Sequence, residues 1–183
     1  MHWLLLNRIG LAGFVLISFF SQSVCCQKLS VDKTKSKVDF EVTHLGMLTV
    51  KGSFQEFEGI IEIKGKQVVV IGSIKSASIV TGNADRDETV KGKAFLNVEA
   101  YPEINFSATG TASLDSIRIA GSLKIRGVSH TAQLKGKYVS DQQVECTMFI
   151  KRSDFKLDFG SMDALVGDDV SITLNLFLTP SLK

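Results

Sequence analysis

Apolar and polar residues alternate along most of the chain, and this period of two limits the fold more than any other feature of the sequence. Val38, Phe40 and Val42 alternate with charged residues, and similar alternation recurs over 117–126 and 170–179. Successive side chains of a β-strand point to opposite faces, so each such segment is typical of a strand with one buried face. No long stretch has the spacing of a helix.

Further strands are predicted over 48–63, 67–79, 104–112, 130–139 and 143–151, with turn-forming residues between most of them. The sequence therefore predicts an all-β fold of about eight antiparallel strands, arranged as a sandwich or as a closed barrel. Closure leaves no exposed strand edge, and an eight-stranded barrel is either filled by its own side chains or holds one small ligand.

A barrel that spans a membrane is not expected. Such a barrel carries apolar side chains outward and girdles of aromatic residues at both interfaces. After residue 26 the chain has no tryptophan, and its only tyrosines are Tyr101 and Tyr138. Charged residues occupy the second face of nearly every predicted strand, and that face therefore suits water.

Residues 1–26 have the layout of a secretory signal peptide. Arg8 precedes an apolar run over 9–20, and polar residues follow at 21–23. A membrane-spanning helix needs about 20 apolar residues. Asn7 and Arg8 interrupt this segment, so the sequence favours cleavage over a membrane anchor.

Cleavage is predicted after Cys26, so that 27–183 form the exported domain and Gln27 is its first residue. Acylation of Cys25 or Cys26 is the alternative. The segment before the two cysteines lacks the leucine that usually stands three residues before an acylated cysteine, and this absence favours simple cleavage.

The segment 27–183 is long enough for one domain with its own core, and no linker or repeat divides it. Without Arg8, the formal charge falls from the +2 of the whole chain to about +1. Nucleic acid binding would require a clustered basic face, and is not expected. Cys146 is alone in this segment, which excludes an internal disulfide. Its apolar neighbours at a spacing of two predict a small buried residue.

The segment 83–101 departs from the strand pattern and predicts a short helix. Asn83 can cap this helix, the acidic residues that follow suit its first turn, and Lys91 and Lys93 suit its last turn. Gly92 then allows the chain to turn. A helix of one or two turns is too short to be stable alone.

Support for this helix is expected from Phe95, Leu96 and Val98, which can fold back into the open end of a barrel. Tyr101 is held extended by Pro102, and the next strand begins there. The segment is therefore predicted to be a lid across one end of the barrel, held by its apolar residues.

Five motifs stand in order along the chain: "VDKTKSKVDFEVTHLGMLTVKGSFQEFEG", "RDETVKGKAFLNVEAYPEINFSATG", "GSLKIRGVSHTAQL", "RSDFKLDFG" and "VGDDVSITLNLFL". Together they resemble the YceI-like family of exported lipid- and polyisoprenoid-binding proteins over 29–178. The resemblance implies a lipocalin-like antiparallel barrel whose long apolar cavity holds an isoprenoid, a quinone-like molecule or another fatty chain. It also implies a periplasmic location in a Gram-negative bacterium and, in many members, a homodimer. Thr89 and Ala94 depart from the family pattern, which has histidine and an acidic residue there.

No catalytic or metal-binding constellation is predicted, and no cofactor. His44 and His130 have no histidine, cysteine or carboxylate at ligand spacing, and a zinc site needs three or four ligands. The motif "NADRDE" lacks the order of a calcium loop. Ser129 precedes His130, but neighbours on a strand point to opposite faces. The chain is therefore not expected to be an enzyme.

The sequence and the resemblance together predict an exported protein that sequesters or carries an isoprenoid or other long apolar chain inside a β-barrel. Gly72, Gly121 and Ala132 are expected to leave room in the interior. Two other classes stay open: a structural or stress-related interaction protein whose barrel is filled by its own side chains, and an enzyme that acts on a bound lipid.

The predicted ligand contacts lie on the inward faces of the strands and on the lid. They are Val38, Phe40, Val42, His44, Phe54, Ile74, Phe95, Leu96, Phe106, Leu123, Ile125, Met148, Leu174 and Leu176. His44 continues an inward set and is either a core residue or a polar ligand contact near the barrel mouth. Arg86 either pairs with Asp85 or Glu88 on the surface or binds an anionic headgroup such as a phosphate.

Overall fold

The computed structural model of the protein describes residues 26–44, 47–111, 113 and 116–181. They form eleven strands, one α-helix and three short 3₁₀ turns. The strands are β1 (Cys26–Val31), β2 (Lys37–His44), β3 (Leu48–Phe54), β4 (Phe57–Lys64), β5 (Gln67–Lys75), β6 (Ile79–Val80), β7 (Glu103–Thr111), β8 (Ile117–Ile125), β9 (Val128–Ser140), β10 (Gln143–Lys151) and β11 (Val166–Pro180). The helix α1 is Ala84–Lys91, and the 3₁₀ turns are Ser76–Ser78, Ser153–Phe155 and Gly160–Leu165.

Eight strands close into an antiparallel barrel. Their order is β1-β4-β5-β7-β8-β9-β10-β11, and β11 pairs again with β1. The predicted eight-stranded barrel with a short helical segment is therefore confirmed. The strands β2, β3 and β6 branch from this ring, because one edge of β11 is shared between β1 and β2.

The first six strands are three long strands, each with a bend. β1 continues into β2 across 32–36, β3 into β4 across 55–56, and β5 into β6 across Ser76–Ser78. At the first bend the backbone N–H of Phe177 in β11 donates to the hydroxyl of buried Ser36 at 2.9 Å. A side chain thus replaces the ladder partner that the bend removes, so the polar backbone group stays satisfied.

These bends account for most differences from the predicted strands. The segments predicted over 48–63 and 67–79 are each divided into two strands, because apolar alternation continues on both sides of a bend and does not reveal it. Cys26–Val31 was not predicted at all. Among the side chains described in this short strand, Leu29 and Val31 pack on the core, which is too few to show a period.

Most buried apolar side chains form one core inside the ring. A smaller group of Val68, Ala108 and Ile119 fills the end of the barrel farther from α1. Cys146 in β10 is 2% exposed, and burial raises the pKa of its thiol to about 11. The burial confirms the prediction of a small buried residue. The thiol stays protonated at neutral pH and is therefore a poor nucleophile.

The helix α1 forms where the sequence predicts it. The Asn83 side chain accepts a hydrogen bond from the Arg86 backbone N–H at 2.9 Å, and the Gly92 N–H donates to the Glu88 carbonyl at 3.0 Å. Val90 of the helix and Leu96 beyond it are buried in the core. No helix within the described ranges has the length and apolar composition that crossing a membrane requires.

Candidate functional site

A cavity of about 440 Å³ lies inside the barrel beneath the lid, and almost all of the side chains around it are apolar. This volume falls within the range of about 300–1,000 Å³ that is common for small-molecule sites. Phe95 and Arg86 of the lid line one end of it, while Val50 of β3 and Val166 of β11 line the side toward the β2–β3 hairpin. The interior therefore contains space that the protein's own side chains do not fill.

The cavity wall gathers nearly every residue that the sequence singled out. The predicted contacts that line it are Val38, Phe40, Val42, Phe54, Ile74, Arg86, Phe95, Leu96, Phe106, Leu123, Ile125, Met148, Leu174 and Leu176. The backbone of His44 ends β2, but its side chain lies outside the described part of the structure. The predicted contacts thus form one surface that is built from seven strands and the lid.

Part of the wall is bare backbone. Gly59 of β4 and Gly72 of β5 lie opposite each other in the ladder, and both line the cavity. At Gly59 the space is taken by Val31, since an added Cβ would stand 2.8 Å from Val31 Cγ2. A Cβ added at Gly72 would meet only the Glu58 carbonyl oxygen, at 3.8 Å, so it would extend into open space. The expectation that Gly72 leaves room in the interior is confirmed, and a ligand can approach the wall closely here.

The same expectation is wrong for Gly121 and Ala132. A Cβ at Gly121 would lie 2.5 Å from the Ala108 Cβ and 2.9 Å from Phe106 Cζ, so neighbouring side chains already fill that space. Ala132 lies opposite Gly121 in the ladder and is buried in the core. Both residues permit close packing of strands, and neither is part of the cavity wall.

An aromatic wall is formed by β2 and β3. The Phe40 ring lies over Gly52, where an added Cβ would stand 2.6 Å from Phe40 Cε1. The centroids of Phe40 and Phe54 are 5.6 Å apart, with ring planes tilted by 46°. Glycine at 52 therefore leaves the space that the Phe40 ring occupies. Phe40 and Phe54 both line the cavity.

The lid is latched to the segment that follows β10. The Phe95 ring stacks on the Phe159 ring with 4.3 Å between centroids and 29° between planes. Arg126, in the turn between β8 and β9, donates to the carbonyl of Lys93 in the lid at 3.0 Å and also to the carbonyl of Lys156. One arginine and one ring pair therefore connect these two segments at the end of the cavity.

Arg152 is a site residue that sequence reasoning did not identify. Its side chain is 5% exposed, and its guanidinium lies 5.5 Å from the centroid of the Phe159 ring. It donates hydrogen bonds to the Gly167, Leu157, Asp163 and Val166 carbonyls and to the Asp163 carboxylate. This arrangement holds 153–167 in place as a wall of the cavity. The available signal was its position, because it continues the inward alternation of Met148 and Ile150.

The contacts of Arg86 differ from the surface ion pair that was one of its two predicted roles. Its Nε donates to the Thr81 hydroxyl at 2.8 Å and its Nη2 to the Thr81 carbonyl at 2.7 Å, while Glu88 pairs with Lys91. Thr81 also donates its hydroxyl to Asp87, and this hydrogen bond lowers the pKa of that carboxyl. Nη1 has no protein acceptor within the described ranges, and Arg86 is one of the residues that line the cavity.

The described residues contain no group of three His, Cys, Asp or Glu side chains arranged to hold a metal ion. His130 packs edge-on against Phe155 with 5.3 Å between ring centroids. In β9, Ser129 lies opposite Lys124 and His130 opposite Leu123, so the two neighbours face different sides of the sheet.

The chain matches the family model described as the YceI-like domain over residues 29–178. It is 30% identical over 136 residues to the protein YceI of Salmonella arizonae, a match that covers 70% of this chain and 71% of that protein. It is 29% identical over 109 residues to a UPF0312 protein of Azotobacter vinelandii, and here the match covers 57% of each chain.

Solved structures share the fold at lower identity. BcnA of Burkholderia cenocepacia superposes with a TM-score of 0.72 at 23% identity, covering 81% of this chain and 99% of that one. A polyisoprenoid binding domain from Saccharophagus degradans superposes with a TM-score of 0.65 at 16% identity, covering 84% of this chain and 98% of the domain. At these identities the likeness concerns the barrel itself.

Proposed function

The chain belongs to the YceI-like family, and from this membership and its apolar cavity we propose that it binds an isoprenoid or another long apolar chain inside the barrel. The observation that carries the proposal is the cavity of about 440 Å³, with apolar side chains around almost all of it and bare backbone at Gly72. The Saccharophagus neighbour, described as a polyisoprenoid binding domain, supports an isoprenoid-type ligand.

Apolar contact alone supplies enough free energy for tight binding. Burial of one methylene group contributes about 0.8 kcal/mol, which corresponds to about a fourfold change in Kd. Ordering a flexible chain offsets part of this gain. The affinity therefore rises with chain length until the cavity is full, and quinone-like and fatty chains of suitable length also bind.

Arg86 is the proposed contact for a headgroup. Two of its nitrogens are held by Thr81, which fixes the guanidinium at the lid end of the cavity. Nη1 is left to donate a hydrogen bond to a ligand oxygen. A carboxylate or phosphate at the end of the chain therefore strengthens binding, while an uncharged chain relies on the apolar wall.

Binding, and not catalysis, is the proposed activity, and sequestration or carriage of the ligand is its purpose. We further propose that the protein acts in the periplasm after removal of residues 1–26. That segment has the composition of a secretory signal peptide, and Cys26, the last residue before the expected cut, begins β1.

Mass spectrometry of solvent extracts tests the proposal directly. The purified full chain is extracted alongside a Gly72→Leu variant, in which a side chain occupies the cavity. The expected result is a long apolar molecule in near-stoichiometric amount from the parent and much less of it from the variant. Equal lipid content in the two samples contradicts binding in this cavity. So does the absence of lipid from a parent protein that was expressed in a Gram-negative host.

A further inference from the structure

Three large apolar side chains are exposed together at the lid end of the barrel. Met47 is 89% exposed and Leu48 59% exposed in the β2–β3 hairpin, and Leu165 is 42% exposed just before β11. We propose that this apolar rim, formed by Met47, Leu48 and Leu165, docks on the surface of a phospholipid bilayer, where the protein collects or delivers its ligand. The inference rests on the proposed function, because an apolar cargo gives the rim its purpose.

The rim continues the surface of the cavity. In the ladders Val42 lies opposite Val50, and both line the cavity; one step farther toward the hairpin tip, His44 lies opposite Leu48. Leu48 is thus on the same face of the sheet as Val50, but beyond the enclosed part of the barrel. The face of β3 that lines the cavity at Val50 therefore continues to the rim at Leu48.

Among the described residues, one edge of β3 is unpaired beside the rim. β6 pairs with β3 only at Ser53 and Phe54, so within the described chain the 48–52 part of β3 has a strand partner on one edge alone. Arg86 and Phe95 of the lid line the cavity near this gap. We place the exit of the ligand at this unpaired edge, beside the exposed apolar side chains of the rim, where contact with a bilayer would keep an insoluble chain out of water.

The charges of the hairpin are compatible with a phosphate-bearing surface. No aspartate or glutamate occurs from Val42 to Gly52, and Lys51 is the one lysine of that stretch. The nearest carboxylate next to Leu165, that of Asp163, is paired with Arg152. Asp168 and Asp169 of β11 pair with Lys151, and Glu41 pairs with Lys51. The carboxylates around the rim are therefore held in ion pairs, and its apolar exposure is the feature that suits a bilayer surface.

The test compares two double variants of the full chain. Met47→Ser/Leu48→Ser removes two of the three rim side chains. The control is Tyr138→Ser/Val139→Ser, which also changes two neighbouring exposed apolar residues, 49% and 51% exposed, but near the opposite end of the barrel. Flotation of the ligand-free proteins with phosphatidylcholine vesicles measures docking independently of any cargo. We expect about tenfold weaker flotation for the rim variant and none of this loss for the control.

A second measurement follows transfer of pyrene-labelled palmitic acid from loaded protein to the same vesicles. Docking predicts a transfer rate that rises with vesicle concentration for the parent and the control, and a nearly flat dependence for the rim variant. Without vesicles, all three proteins are expected to retain the probe equally. If the parent does not retain it, the proposed ligand binding is contradicted, and the flotation assay alone tests the docking.

The proposal is overturned if the rim variant floats as well as the parent, or if the control loses as much binding. It is also overturned if Met47→Ser/Leu48→Ser converts a dimer to a monomer in light scattering while vesicle binding is unchanged. In that case the rim would be a contact between two copies of the chain.

Discussion

The Phe95 ring stacks on the Phe159 ring with 4.3 Å between their centroids, and this pair joins the lid to the segment that Arg152 holds in place. The two residues are far apart in the sequence and belong to segments without regular strand structure. We therefore expect this ring pair, and not the charged residues of α1, to hold the lid over the cavity.

Phe95→Ala is expected to accelerate release of a bound uncharged probe about tenfold while the barrel stays folded. The loss combines part of the burial of a phenyl group, about 1.5–3 kcal/mol when complete, with a ring-pair contribution of about 0.5–1.5 kcal/mol. The off-rate is followed by fluorescence, with circular dichroism as the check on folding. Lys93→Ala, also in the lid but exposed, is the matched control and is expected to change little.

Arg86→Ala distinguishes the latch from an electrostatic clasp. It is expected to speed release of an anionic probe and to leave an uncharged probe almost unaffected. If Arg86→Ala releases the uncharged probe faster than Phe95→Ala does, the lid is held by its polar contacts, and the apolar latch is wrong.

Gly72→Leu is expected to reduce the affinity for a long-chain probe by at least about tenfold, because the added side chain occupies open cavity space. Ser107→Leu adds the same side chain on the neighbouring strand β7, at an exposed position outside the cavity wall, and should leave binding near the parental value. Titration of a fluorescent fatty acid, with a urea midpoint for each variant, makes the comparison. Equal affinities for the two variants would place the ligand elsewhere.

Leu174→Asp is expected to destabilise the domain by about 3 kcal/mol or more, because the carboxylate would lie among apolar side chains. Leu174 lies opposite Val38 and Cys146 and lines the cavity. Thr173→Lys is the control, since Thr173 lies opposite Asp39 on the other face of the sheet. Its effect should stay within about 0.5 kcal/mol. Urea unfolding measures both, and similar losses would mean that the register is wrong.

Acid is expected to loosen the segment held by Arg152. The hydrogen bond from Arg152, together with one from the Phe159 N–H, lowers the pKa of Asp163 from its ordinary value of 3.8. A lowered pKa stabilises the folded state above the ordinary value, and the contribution is lost as the pH falls through the lowered pKa. Probe release should therefore accelerate below about pH 3.8. Asp163→Asn should release the probe faster at neutral pH and respond less to acid.

Export is tested by the N-terminus of the protein recovered from a Gram-negative host. The expected product begins at Gln27 and appears in the soluble periplasmic fraction. Intact-mass measurement separates the alternatives, because a retained segment 1–26 or a diacylglyceryl adduct on Cys25 or Cys26 would each change the mass. Either of these results contradicts simple cleavage after Cys26.

Much of this architecture could be predicted because alternation is a local property of the chain. The inward sets of β2, β8 and β11 follow directly from the period of two, and they line one interior. The caps of α1 are equally local, since Asn83 and Gly92 bond to backbone groups only a few residues away. Where short-range chemistry decides the structure, the sequence alone was sufficient.

The remaining features depend on partners that are remote in sequence. Gly72 and Gly121 are the same residue type at the same kind of position, yet one faces open space and the other lies against Phe106 and Ala108. Arg152 is buried because four carbonyls converge on it from the segment 157–167, whose path no local pattern indicates. These outcomes are set by which strand and which loop become neighbours.

The pairing of β1 with β11, which completes the ring, has a consequence for the order of folding. It joins the two ends of the domain through three register pairs, with Ser30 and Thr179 149 residues apart in sequence. Contacts of such long sequence separation have a high cost in loop closure and form late. During synthesis the edge of β1 that faces β11 stays unpaired until Val166–Pro180 has been made, so a partial chain cannot close the ring. Until β11 is made the ring stays open, and an open ring is compatible with the export that we propose.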